Sequence, residues 1–134
     1  MITSEVIYQK ELRTICTHIR SGEQIITDAP IDNKGKGAYF SPTDLMTTSL
    51  ASCMLTIIGI ASDTHGFSID GSKAEVTKVM YDNPRRIGEI RIHIFFPENT
   101  YSEKTRKIIK NAAYSCPVSK SLHPEIKQDI IFNF

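Results

Sequence analysis

The chain has 134 residues, enough for one domain with a real core, and its 40% hydrophobic and 23% charged content is ordinary for a globular protein. A formal net charge of +1 without any block of like charge argues against a dedicated nucleic-acid binder. The most apolar stretch, Leu50 to Ala61, is interrupted by Ser52, Thr56 and Gly59 and falls short of the roughly 20 residues a membrane span needs.

Taken in chain order, Ser4 to Tyr8 and Leu12 to Arg20 predict strands, rich in β-branched residues, and Gln24 to Thr27 a third after the Ser21-Gly22 turn. Residues 28–40 carry Pro30, Asp32, Asn33, Gly35 and Gly37 and predict a loop. Ser41-Pro42-Thr43-Asp44 then starts a helix: Ser41 caps, Pro42 suits the first helical position, and Asp44 completes a capping box. The helix should run to about Asp63 or Thr64 and stop at Gly66. Its apolar stripe is Met46, Leu50, Cys53, Ile57 and Ile60, widened almost all the way round by Leu45, Met54, Leu55, Ile58 and Ala61. Lys73 to Tyr81 and Arg86 to Phe96 predict two long strands, joined by Asp82-Asn83-Pro84, with Ile90, Ile92, Ile94 and Phe96 on the buried face of the second. Ser102 to Tyr114 predicts a second helix, broken by Ser115-Cys116-Pro117. A short helical turn over Val118 to Leu122 and a final strand, Ile126 to Phe134, follow.

The expected fold class is therefore α+β over one domain, residues 1–134. Its order is three strands, a helix, two strands, a helix, a strand, with an antiparallel sheet packed on a central helix. One sheet cannot cover both sides of so apolar a helix, so a homodimer with an extensive interface is expected. The opening Met-Ile-Thr-Ser-Glu has no basic region followed by an apolar one, so no signal peptide is expected and the expected compartment is the cytoplasm.

Three cysteines, Cys16, Cys53 and Cys116, are too few and too odd for an extracellular disulfide scaffold. They make no zinc-type spacing with His18, His65, His93 or His123, so no metal is expected. Taken alone, Cys53 sits too far along its helix to gain from the dipole and reads as a small core residue before it reads as a nucleophile. Cys116, just before Pro117, is either a loop cysteine or a thiol at the mouth of a short helix, where thiolate is favoured. Cys16 in its strand reads as packing or a free thiol. His123-Pro124 reads as a turn, with general-base work as the weaker alternative. Lys104, Arg106, Lys107 and Lys110 form a solvated helix face.

Two segments carry a more specific signal. Ser41-Pro42-Thr43-Asp44-Leu45 leads to Leu50-Ala51-Ser52-Cys53, and Ser115-Cys116-Pro117-Val118-Ser119 places its cysteine 63 residues later. These resemble the two cysteine motifs of the OsmC and organic hydroperoxide resistance superfamily. There, a helix opening on Asn/Ser-Pro-x-acid/amide-Leu carries one cysteine, and Cys-Pro-x-Ser holds the other. Arg13, nine residues before Gly22, is similar to the family's N-terminal arginine. The resemblance extends over essentially the whole chain, element order included. Thr43 stands where the hydroperoxide resistance enzymes have a glutamate, and Met46-Thr47-Thr48-Ser49 where small apolar residues are usual. The resemblance is thus to the broader OsmC-like branch.

The resemblance implies an intertwined homodimer around paired central helices, with the site at its interface. It implies a thiol-dependent peroxidase that reduces organic hydroperoxides to alcohols without a cofactor, restored by a dithiol reductant, either a lipoyl-type protein or a small thiol. Under it, Cys53 is the peroxidatic thiol and Cys116 resolves its sulfenic acid as a disulfide. Arg13 lowers the thiol pKa and orients the peroxide. Asp44, besides its role as a cap, would hold Arg13 in place of the missing glutamate. Met46, Leu50, Met54 and Ile57 would suit an apolar substrate, with ordinary core packing as the alternative for each. The missing glutamate also motivates a second expectation, a redox-sensing or small-molecule-binding dimer with little turnover. A third is a purely structural dimer in which Cys53 only packs.

Overall fold

β-Branched residues recurring through the N-terminal segment draw it into three strands, β1 (Ser4–Lys10), β2 (Arg13–His18) and β3 (Gln24–Asp28). They form an antiparallel sheet in the order β1-β2-β3. The computed structural model describes residues 1–97 and 100–134, and this sheet belongs to the first of two units, Met1–Leu45 and Met46–Phe134. β1 and β2 are joined by Glu11 and Leu12, both at positive φ, the backbone sense of the tight turns that match strand twist. After β3 the loop turns back on itself at Ile31–Asn33. Gly35 is required there, because a Cβ would lie 1.6 Å from the carbonyl oxygen of Ala29.

The helix α1 (Pro42–His65) opens with the capping box that the sequence predicts. Ser41 Oγ accepts from the Asp44 N–H at 3.0 Å, and Asp44 Oδ2 accepts from the Ser41 N–H at 3.0 Å. It ends at Gly66, at positive φ, with the Gly66 and Phe67 N–H groups both donating to the Ser62 carbonyl. By length and composition α1 could cross a bilayer. In the structure, one of its faces is buried in the core of the second unit. That face is Thr47, Leu50, Ala51, Met54, Ile58 and Ser62; of the expected stripe it holds Leu50, with Cys53 and Ile57 half-buried beside it. Met46 and Ile60 are exposed, in line with Ser49, Ser52, Thr56 and Asp63.

In the second unit, β4 (Lys73–Tyr81), β5 (Arg86–Phe95) and β6 (Lys127–Asn133) form a three-stranded sheet in that order. The chain is α+β as expected, but the expected antiparallel sheet is two separate three-stranded sheets, and the second is mixed. β5 pairs with β4 antiparallel and with β6 parallel. The reason is the connection: α2 (Glu103–Tyr114) and α3 (Pro117–Ser121) lie between β5 and β6, a crossover long enough to return the chain in the same direction. Ile90, Ile92 and Ile94 of β5 face inward and meet Leu50, Met54 and Ile58 of α1 with Ile109 and Ala113 of α2 in one core. Each fully buried aliphatic side chain contributes about 1.5–3 kcal/mol relative to exposure.

Candidate active site

The second unit brings two of the predicted site residues together. Cys53 lies on α1, half-buried beside the core face, and Cys116 lies between α2 and α3 with no exposed surface. Both are free thiols, and Cys53 is close enough to Cys116 for its thiol to raise the Cys116 pKa. Burial pushes the Cys116 thiol pKa up. The backbone N–H groups of Ser119 and Val118 pull against that shift, and the neighbouring Cys53 adds to it.

Local sequence explains the placing of Cys116. Pro117 starts α3 and keeps the preceding residue extended, with Cys116 at φ −64° and ψ 142°. Cys116 is thereby the cap of α3, and its Sγ accepts from the Ser119 N–H at 3.3 Å. The pair therefore consists of one partly accessible thiol and one enclosed thiol. Such a pair can divide attack and resolution between them.

Arg13 belongs to the first unit, where its partner is Asp28. The two residues sit opposite each other in the β2–β3 register. Arg13 Nε donates to Asp28 Oδ1 at 2.7 Å and Nη2 to Oδ2 at 2.9 Å. Asp28 is only 1% exposed and also accepts from the Ala38 N–H at 3.1 Å, so the loop around Gly35 and Gly37 serves to close over it. The Tyr39 ring lies 4.9 Å from the guanidinium carbon. The Arg13 hydrogen bonds hold the Asp28 carboxyl below the usual carboxylate range, and Asp28 in turn raises Arg13. The sequence offered Asp44 for this duty. Asp28 performs it instead, and the Asp44 carboxylate accepts from the Ser41 N–H at the helix start.

Of the apolar candidates, Leu50 and Met54 are fully buried core residues, whose surface is taken up by packing. Ile57 is half-buried and Met46 is exposed. Cys16 is half-buried in β2, its Sγ 3.8 Å from Thr14 Oγ1. His123 holds its turn by accepting from the Glu125 N–H at 3.1 Å. Among the described residues, no three His, Cys, Asp or Glu side chains are grouped to hold a metal ion.

Comparison with known proteins bears on this arrangement. The OsmC-like protein family matches residues 35–130. The crystal structure of a Psychrobacter arcticus protein, named for osmotic stress induction and a detoxification response, is 55% identical. It superposes with a TM-score of 0.95 over 99% of this chain and 96% of that one. The organic hydroperoxide resistance protein OsmC of Legionella pneumophila is 12% identical, with a TM-score of 0.78 over 100% of this chain and 98% of that one. The organic hydroperoxide resistance protein OhrB of Bacillus subtilis is 18% identical, with a TM-score of 0.70 over 98% of each chain. The last two likenesses bear on the fold alone. No curated protein matches the chain.

Proposed function

Because the chain belongs to the OsmC-like protein family, we propose that it is a cytoplasmic, homodimeric thiol-dependent peroxidase that reduces organic hydroperoxides to alcohols. One observation carries the reading: Cys53 and Cys116, 63 residues apart in the chain, lie in one core cluster as a half-buried and an enclosed thiol, the first raising the pKa of the second. In the proposed cycle the Cys53 thiolate attacks the O–O bond. A sulfur–oxygen bond forms, the O–O bond breaks, and the alkoxide leaves as alcohol with a proton. The resulting sulfenic acid is attacked by Cys116, giving a disulfide and water. A dithiol then reduces the disulfide, returning both thiols and leaving as its own disulfide.

Arg13 is assigned the activation of the thiolate and the orientation of the peroxide. Its pairing with Asp28 supports that role, since a guanidinium clamped through Nε and Nη2 is fixed in direction while its other N–H groups can serve a ligand. Asp28 also supplies the kind of carboxylate whose absence at Thr43 motivated the low-turnover alternative. Exposed Met46 and half-buried Ile57 are the candidates for the organic group of the substrate. The homodimer is supported by β1, where Val6, Ile7 and Tyr8 are exposed on both faces of a strand, and by Ile60 and Met46 on α1. Treating the reduced protein with one equivalent of cumene hydroperoxide tests the reading. It should yield one equivalent of cumyl alcohol and a Cys53–Cys116 disulfide by peptide mass spectrometry, and an unchanged pair of thiols would overturn it.

A further inference from the structure

The final strand breaks its own pattern at Gln128. Ile130 and Phe132 of β6 pack against the core, and Gln128 stands two and four residues before them on the same face, in register with fully buried Ile90 of β5. An amide at an inward position is costly unless its donors and acceptor are matched. Here both ends of the amide go to one residue. Ser119 Oγ donates to Gln128 Oε1 at 2.6 Å, and Gln128 Nε2 donates to the Ser119 carbonyl at 3.2 Å. Ser119 is also the residue whose N–H holds Cys116 Sγ at 3.3 Å. A continuous chain of contacts thus runs from β6 through α3 to the sulfur beside Cys53.

We propose that Gln128 is a positioning residue for Cys116: by clasping Ser119 at two atoms it anchors the first turn of α3 and holds Cys116 Sγ toward Cys53 for disulfide closure. The proposal rests on the two-cysteine chemistry proposed above. In the step it serves, the Cys116 sulfur gives up its proton and attacks the sulfur of the Cys53 sulfenic acid. The S–S bond forms, the S–O bond breaks, and the hydroxide leaves with that proton as water. Five-residue α3 has little stability of its own, so fixing its first turn falls to contacts outside it.

The test uses the full chain as the native sequence, Gln128→Leu and Gln128→Glu, with two oxidants. Cumene hydroperoxide converts Cys53 to a sulfenic acid, and bis(2-hydroxyethyl) disulfide converts it to a mixed disulfide. Cys116 must close either one, and acid-quenched mass spectrometry follows the two steps separately. With Gln128→Leu the ratio of closure to Cys53 modification should fall about tenfold with both oxidants. With Gln128→Glu the carboxylate can still accept from the Ser119 hydroxyl but cannot donate to the Ser119 carbonyl. Its closure rate relative to the native chain should therefore recover as pH falls and the protonated carboxyl donates again. Native-rate closure in Gln128→Leu, or a flat pH ratio in Gln128→Glu, would overturn the proposal. If Gln128→Leu does not fold, the Gln128→Glu profile decides. A native chain inert to the hydroperoxide but closed by the disulfide reagent would overturn the peroxidase reading alone, and the reagent arm would still judge the clasp.

Discussion

Arg13 and Asp28 face each other across the pairing of β2 and β3, and a single guanidinium takes both carboxylate oxygens, at 2.7 and 2.9 Å. The arrangement fixes the arginine from its own sheet. It also gives the arginine an aromatic neighbour, Tyr39, whose place follows directly from Ala38, the residue that caps Asp28 Oδ2.

Asp28→Asn keeps the shape of the side chain and removes its charge. We expect the second-order rate of Cys53 oxidation by cumene hydroperoxide to fall at least about tenfold, because the guanidinium loses the charge-assisted bonds that aim it. The check is stopped-flow oxidation alongside the pH dependence of Cys53 alkylation. A native rate in Asp28→Asn would separate Arg13's clamp from the chemistry.

The same pair sets an acid dependence. The Asp28 carboxyl is held below its ordinary value by the Arg13 hydrogen bonds. Its contribution to stability is therefore fully present above the unfolded value, about 3.9, and is lost as pH falls through the lower folded value. Urea unfolding of the native chain and Asp28→Asn at a series of pH values should give a constant difference above about pH 5 that shrinks below pH 4. A difference independent of pH would contradict the shift.

The two sides of α1 should respond differently to truncation. Met54→Ala removes a fully buried side chain from the core and should cost about 2–5 kcal/mol, whereas Met46→Ala, exposed within the chain and placed at the proposed dimer surface, should cost less. Urea unfolding at one fixed protein concentration measures both. Equal costs would place the two methionines in equivalent surroundings.

A lysine at Ile7 or Ile60, both exposed apolar positions, should lower the sedimentation coefficient from a dimer's to a monomer's if these surfaces meet a second copy. A native chain that sediments as a monomer would remove the homodimer from the account.

Much of this was legible in the sequence, and the gaps have identifiable causes. The capping box at Ser41 and Asp44 and the alternation of Ile90, Ile92 and Ile94 are local patterns, set by hydrogen bonds and side-chain direction within a few residues. The buried face of α1 was not legible, because a helix apolar nearly all round offers no periodicity to choose between faces and because polar Thr47 and Ser62 are on the buried one. The direction of β6 is carried by no residue of β6. It follows from the crossover through α2 and α3. Asp28 was missed by one position: a third strand ended at Thr27 leaves Asp28 in the loop, whereas extending the hairpin register by one pair sets it opposite Arg13. Gln128 carried a signal too, as the one amide at an inward step of the last strand.

The central claim is that Cys53 is a dedicated attacking thiol. The most direct measurement is stopped-flow oxidation of the reduced chain by cumene hydroperoxide and by hydrogen peroxide, beside Cys53→Ser and Cys116→Ser. The reduced chain should react fast, with a preference for the organic peroxide, and Cys53→Ser should abolish the reaction. In Cys116→Ser, Cys53 should still be oxidised but remain as a sulfenic acid without a disulfide. Oxidation no faster than that of a free thiol, without preference between the two peroxides, would contradict the central claim.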